Sequence, residues 1–334
     1  MSYGIVYLTV LIHAGEVSVP RMRGLVVSLV HFCLFIGVFM MSSGLLPVHA
    51  TKIHAVDPTK TMGTSGLICI VTGVLIAILL NRESPVFLIK KYRDDDAIKS
   101  MISLRTESHE TTDIRQDFHE FKLMVMEDAR SNLNIFDKQN RWPLFMILLL
   151  KIGFVASFNL PLNIVWLESV ETDLYDGITD PSGMYLSGTR WVVMMVMMFL
   201  VDFKRIKFYT ISTGALSVII FIIIMADESK HIIKINECLG FVFQAFSGIA
   251  VGMMADIYST EAFNTRKKPL SIAFLSILEF GLQIVFVVIF FYFERLYFET
   301  LIVCASILAL GLLVYFIPDT SNMSLRNARM KFNS

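Results

Sequence analysis

This sequence is poor in the features of a soluble enzyme. Charged residues make up only 17% of its 334 positions, and 29 Lys and Arg cancel 29 Asp and Glu. There is thus no field of one sign to attract nucleic acid or an acidic partner. The four cysteines, Cys33, Cys69, Cys238 and Cys304, lie in apolar runs without C-x-x-C or Cys/His spacing. That excludes a disulfide framework or zinc ribbon and predicts small buried apolar side chains. His13, His49 and His54 form no H-x-x-x-H or H-x-x-E pattern, so no metal is expected. No Walker-type loop or G-x-S-x-G elbow occurs, which excludes the simplest forms of an ATP-driven pump and an intramembrane hydrolase. Residues 4–14 are apolar but lack a basic start and run into Glu16 and Pro20, so no cleavable leader is expected. No catalytic residue and no cofactor are assigned, and an enzyme is not expected.

What the sequence has in abundance is apolar length. Hydrophobic residues make up 55%, the mean hydropathy is +0.63, and a membrane-crossing helix needs about 20 such residues in a row. Residues 24–46, 64–81, 143–167, 184–201, 208–226, 237–255, 269–293 and 296–317 approach that length, which predicts eight spans. A shorter apolar stub, Tyr3 to Ala14, precedes them. The chain reads as an all-α polytopic membrane protein whose lipid-facing surface is most of its mass. Residues 82–142 interrupt the spans with mixed charge and helical spacing of Ala97, Ile98, Met101, Ile102 and Leu104, the pattern of short amphipathic helices. The predicted divisions are residues 1–81 as a half span plus two spans, 82–142 as the amphipathic insert, 143–317 as six spans, and 318–334 as a tail.

Basic residues cluster in alternate loops: Arg21 and Arg23, then Lys204, Arg205 and Lys207, then Arg266, Lys267 and Lys268, then Arg326, Arg329 and Lys331. The positive-inside rule makes that side cytoplasmic, together with the insert and the C-terminus. The opposite loop after the third span carries Glu168, Glu171, Asp173, Asp176 and Asp180.

Five segments at the basic side carry a resemblance. GEVSVPRMRG at Gly15 to Gly24 resembles G-E-I/V-S/A-P-x-x-x-R-G, and RESPVFLIKKYRDDDAIKSMISLR from Arg82 resembles P-E-S-P-R/Y-F/W/Y-L-L. VDFKRIK resembles D-R-x-G-R-R/K, ADIYSTEAFNTRKKP resembles S/A-E-I/L-F-P followed by R-G/P, and FIPDTSNMSL resembles F-x-P-E-T-K-G-x-S/T-L/F. These are the landmarks of the sugar porter family, the sugar branch of the major facilitator superfamily, which includes glucose facilitators and insect trehalose transporters.

The resemblance implies two six-helix bundles, with the N-terminal one here incomplete by about three and a half helices. It implies transport of a hexose or a disaccharide such as trehalose by alternating access, facilitative or proton-coupled, in the plasma membrane. Expected partners are a small solute and the bilayer, with no nucleic acid; protein partners are not indicated. Glu16, Arg23, Glu83, Asp202, Arg205, Asp256 and Lys268 are then gating charges. Counting from the landmarks places the family's pathway amides at His31, Lys151, Arg190, Glu279 and Gln283, with Asn159 and Asn163, one turn apart in the same span as Lys151, able to supply amides from neighbouring turns. Counting back from Asp256, the G-P-x-x-P-W motif falls on Ala245 to Val251, where Gly248 begins a small-residue pair with Gly252. Glu279 needs a nearby cation if it is ionised within the membrane, and Lys151 and Arg190 are the candidates. Two further readings follow from the exchanged amides: a transport-inactive relative or solute sensor, and a transporter of an anionic solute.

Overall fold

A computed structural model describes residues 2–50, 58–80, 82–130, 134–157, 182–202, 206–226, 233–292 and 295–333. The described residues are helical, without a strand. In chain order the helices are α1 (Ser2–Val17), α2 (Arg23–Ala50), α3 (Pro58–Leu80), α4 (Pro85–Lys90), α5 (Asp94–Leu104), α6 (Thr112–Ala129) and α7 (Lys138–Ser157). They continue with α8 (Ser182–Leu200), α9 (Ile206–Ala226), α10 (Ile233–Ser247), α11 (Met254–Ala262), α12 (Lys268–Tyr292), α13 (Arg295–Phe316) and α14 (Leu325–Asn333). A π-helical stretch, Gly248–Met253, joins α10 to α11 into one rod.

Among the described residues, five helical segments are long and apolar enough to cross a membrane: Pro20–Gly37, Lys138–Ser157, Lys207–Ile224, Cys238–Ala262 and Lys268–Tyr292. Val6–Val17, Gly66–Leu75, Ser187–Leu200 and Cys304–Leu313 are shorter apolar helices. Much of their outer surface is hydrocarbon: Ile70 and Ile78 on α3, Ile219 on α9, and Ile277, Ile284 and Phe291 on α12 are all exposed. In water such faces would drive aggregation; in a bilayer they contact lipid. The four cysteines correct the expectation made for them, since all four are exposed. Each is small and apolar enough to face lipid.

The insert folds as three short helices whose starts are encoded locally. Ser84 caps α4 by accepting from the Phe87 amide, with Pro85 next. Thr111 caps α6 by accepting from the Ile114 amide, and Asp94, Asp95 and Asp96 fill the first turn of α5, where the helix dipole favours acid. Their apolar faces meet around Val86, Ala97, Met101, Ile114 and Met124, and Leu325 of α14 joins that core. The C-terminal helix is therefore docked on the insert.

Two cores run through the membrane helices. The larger gathers α1, α2, α7, α11, α12 and α13 around Leu11, Val27, Ile147, Ile257, Leu275 and Leu313. The other, with Phe35, Phe154, Met194, Phe221 and Phe243, lies toward the opposite end. α2 packs along α8, and α1 packs against α11 and α12, so the first helices meet the C-terminal six along a seam.

Candidate functional site: a charged seam between the first helices and the C-terminal bundle

The seam is closed at its basic end by ionic contacts. Arg23 Nη1 donates to Glu261 Oε1 at 3.0 Å and to the Met323 carbonyl at 3.0 Å, and the pair is almost wholly buried. One residue on, the first amides of α2, Gly24 and Leu25, donate to the two oxygens of Asp202 at 3.0 and 2.9 Å. A carboxylate there takes up helix-terminal N–H groups that would otherwise be orphaned and meets the positive end of the dipole. Burial nonetheless pushes the Asp202 carboxyl above its usual range, against the pull of those two amides. Glu16 accepts from Ser84 Oγ at 2.7 Å, tying α1 to the insert. Lys267 reaches Asp137 at 3.1 Å, which holds that carboxyl below its usual range. Lys268 is buried with Glu16 and Asp128 as the nearest acidic influences.

Deeper along the seam lies a cluster of ionisable groups drawn from both sides. His31 of α2 is 8 residues beyond Arg23, about 12 Å at 1.5 Å per residue, which places it near the middle of a core about 30 Å thick. Its Nδ1 is 2.8 Å from Asp256 Oδ2 on α11. The other Asp256 oxygen is 3.4 Å from Lys151 Nζ on α7, and Lys151 lies 3.0 Å from Glu279 Oε2 on α12. The Tyr7 hydroxyl of α1 also bonds Asp256. Arg190 of α8 donates to Gln244 Oε1 of α10 at 2.9 Å, and Gln244 Nε2 donates to the Ser157 carbonyl at 3.3 Å. The guanidinium sits over the Phe35 and Phe154 rings at 5.0 and 5.4 Å. Charges this deep persist only when paired or hydrogen-bonded, and each of these has such company.

The backbone makes room for this cluster at the π-helical stretch. A Cβ on Gly248 would lie 2.9 Å from Arg190 Cγ, and one on Gly252 would lie 2.7 Å from His31 Nε2. Glycine is required at both, so the long side chains can lie against bare backbone. π turns recur where a helix is adapted to a site. Beside the cluster is a cavity of about 40 Å³ lined by Tyr7, His31, Lys151, Phe154, Ser276, Glu279 and Phe280, with Leu34. That space suits a few water molecules; a sugar requires the seam to widen.

Of the pathway residues expected from sequence, His31, Lys151 and Glu279 line one cavity. Arg190 joins them through Phe154. Gln283 lies one turn farther along α12, half-buried and outside that lining. Asn159, Asn163 and the gating candidate Arg205 lie outside the described residues. Two gating expectations are corrected. Glu83 is exposed and meets Arg93 within the insert at 3.5 Å, so it bridges no seam. Asp256 is fully buried in the central cluster, because α11 runs two more turns before the loop and Glu261 occupies its end. Sequence reasoning passed over Glu261, although it begins E-A-F within the quoted segment, and over Gln244, an amide isolated in an apolar run.

Among solved structures, the chain resembles the proton:xylose symporter XylE of the major facilitator superfamily bound to 6-bromo-6-deoxy-D-glucose. The TM-score is 0.76 at 15% identity, over 96% of this chain and 70% of that one. A double-tryptophan mutant of XylE gives 0.78 at 15% identity, over 95% and 69%. The partially occluded inward-open xylose transporter XylE from E. coli gives 0.65 at 14% identity, over 92% and 66%. At these identities the likeness is one of fold. A search of curated protein sequences gives no match. Sequence does match one family along nearly the whole chain: residues 1–332 fit the Sugar (and other) transporter family, and this integral membrane protein belongs to it.

Proposed function

We propose that the protein carries a sugar, a hexose or a disaccharide such as trehalose, across the plasma membrane by alternating access, with its basic end in the cytoplasm. The observation that carries this reading is the seam itself. Arg23–Glu261 closes one end, and a mostly apolar cavity with aromatic walls and a few polar groups lies about 12 Å farther in, next to His31, Ser276 and Glu279. Sugars need hydroxyl-sized donors and acceptors beside an aromatic face, and rocking the first helices against the C-terminal six would expose that cavity to either side. His31, Lys151, Arg190, Glu279 and Gln283 form the proposed solute pathway, joined by Asn159 and Asn163. Arg23, Asp202, Glu16 and Lys268 form the proposed gate, together with Arg205.

Lys151 and Arg190 do not make this an anion site in our reading. Lys151 is already matched by Asp256 and Glu279 at 3.4 and 3.0 Å, so its charge is spent within the protein. Uptake of radiolabelled glucose, trehalose and a simple carboxylate into proteoliposomes tests the proposal. Saturable uptake of one of the sugars, reduced by Glu279→Gln, supports it. Carboxylate uptake that Lys151→Gln abolishes would replace it with the anion reading, and binding of a sugar without flux would replace it with a sensor.

A further inference from the structure

We infer that the tip after α4, formed by Lys90, Lys91 and Tyr92 with Phe87, is a docking site for anionic lipid headgroups of the adjacent bilayer surface. The inference does not depend on the protein's carrying a sugar. Three hydrogen bonds define the turn that ends α4. The Lys91 amide donates to the Phe87 carbonyl at 3.1 Å, the Tyr92 amide to Ile89 at 3.0 Å, and the Arg93 amide to Leu88 at 3.0 Å. The last two are the paired bonds of a Schellman turn, whose left-handed position favours glycine. Tyr92 stands there instead, at φ 60°, a conformation that is strained for a bulky side chain. Its side chain is 94% exposed, so no packing within the chain offsets that strain. Backbone strain of this kind collects at contact sites, and here the contact lies outside the chain.

Placement and charge identify that contact. α3 ends at Leu80 and α4 begins at Pro85, while Ser84 is bonded to Glu16, one residue short of the end of α1. The start of α4 is therefore pinned where two apolar helices leave the hydrocarbon. Val86, Leu88 and Ile89 turn into the core of the insert, which leaves Phe87, Lys90, Lys91 and Tyr92 uncovered. Lys91 Nζ lies 5.8 Å from the Phe87 ring centre, so cation and ring form one surface. Most acids nearby in sequence are already matched: Glu83 and Asp96 by Arg93, and Asp94 by Lys122. That leaves Arg82, Lys90 and Lys91 against Asp95, none of them in an ion pair among the described residues. Amphipathic rings beside lysines at a bilayer boundary suit the headgroup layer. Three unmatched cations select its anionic lipids over neutral ones.

The test places the full chain in nanodiscs of phosphatidylcholine alone or of phosphatidylcholine mixed with phosphatidylserine, and follows backbone hydrogen exchange at residues 86–93. Docking adds to the cost of opening the turn. At about fivefold per lysine, the Lys91, Tyr92 and Arg93 amides should exchange about 25-fold more slowly in the anionic discs. Lys90→Gln combined with Lys91→Gln should remove that difference; both side chains are exposed, and unchanged exchange in α6 verifies the fold. Tyr92→Gly separates docking from stability: it should melt at or above wild type, because glycine suits the turn, yet show a smaller difference between the discs. A photoreactive benzophenone side chain at position 92 should form adducts with phosphatidylserine beyond its share of the lipid. Equal exchange in both discs, a difference that survives the double lysine variant, or a Tyr92→Gly chain that melts lower overturns the proposal. So does slowing by soluble glycerophosphoserine in phosphatidylcholine discs, which would mean a free phosphate site. Adducts confined to protein overturn it in favour of a second chain.

Discussion

Removing Glu261 should damage the protein more than removing Arg23, although the two are partners in one bond. Their side chains are 2% and 3% exposed and 3.0 Å apart. Arg23 uses Nη1 for both of its bonds, while Nε and Nη2 are buried without a hydrogen-bond partner among the described residues. The ions are thus under-compensated for the water they lost, and the pair should add little over a well-packed apolar replacement. Breaking it from one side is another matter, costing about 3–5 kcal/mol when the orphaned charge cannot escape. After Glu261→Gln the guanidinium is stranded, and it cannot shed its proton. After Arg23→Met the stranded carboxylate can take one up and become neutral, so the cost should be smaller, about 1–3 kcal/mol for a buried polar group with too few partners. The double variant Arg23→Met, Glu261→Met strands no charge, leaving only the Met323 carbonyl without its donor, and should fall within about 1 kcal/mol of wild type. Thermal melting of detergent-purified protein gives the ranking: Glu261→Gln lowest, Arg23→Met next, the double variant nearest wild type. Equal losses from the two single variants, or a double variant as unstable as the worse single, would refute the reasoning, since both outcomes require a bond made in water rather than one buried in the seam.

Three further outcomes follow from single contacts. Gly15→Ala would place a Cβ 2.7 Å from Thr260 Cβ, a stiff neighbour close to the backbone; melting should report a loss of about 1–3 kcal/mol, while Gly37→Ala, with nothing within 4 Å, should be neutral or slightly stabilising. Asp202→Ala removes both acceptors for the Gly24 and Leu25 amides and should cost about 1–3 kcal/mol, with Asp202→Asn intermediate. Because burial raises the Asp202 carboxyl, the folded chain binds that proton more tightly than the unfolded one. Stability from this group therefore falls as pH rises from the ordinary carboxylate range through the raised value, and Asp202→Asn should abolish that slope. On the insert, the Arg326 guanidinium beside Glu127 holds that carboxyl below its usual range. Docking of α14 is thus fully supported above the ordinary range and weakens as pH falls through the lowered value, which hydrogen exchange at residues 325–333 would report.

Much of the architecture is legible in the sequence because lipid imposes a simple rule. A run such as 269–293 must be a helix to satisfy its own backbone in hydrocarbon, and the helix Lys268–Tyr292 follows it closely. The insert is legible for a different reason, since Ser84, Pro85 and Thr111 carry their own start signals. What apolar periodicity cannot supply is which side of a span faces the seam. Cys33 and His31 are two residues apart on one helix, yet one is exposed and the other buried. The small hydrophobe ends at lipid and the imidazole inside, because a polar ring is costly in hydrocarbon and a thiol is not. Pairings across the seam are harder still. That Lys151 finds both Asp256 and Glu279 depends on the relative rotation of α7, α11 and α12, and no local pattern encodes it.

The correction at Asp256 reaches further than one residue. When Asp256 is taken as the acid of the S/A-E-I/L-F-P landmark, the tryptophan of the resembled G-P-x-x-P-W motif falls on Val251. The position of Glu261 at the end of α11, bonded to Arg23 of the neighbouring landmark, makes Glu261 the better match, five residues on. The tryptophan position then moves from Val251 to Asp256. On that register a carboxylate, not an apolar residue, stands where the resembled motif has its tryptophan. An isolated carboxylate there would be intolerable, and the exchange becomes possible only because His31 and Lys151 stand opposite it, at 2.8 and 3.4 Å. The three substitutions are therefore one. Read along the chain, Asp256, Lys151 and His31 look like separate departures from the resembled motifs, and in the fold they form one ionic rung that joins α2, α7 and α11 across the seam. It follows that Lys151→Gln alone should destabilise the protein, as thermal melting would report, since it strands both Asp256 and Glu279.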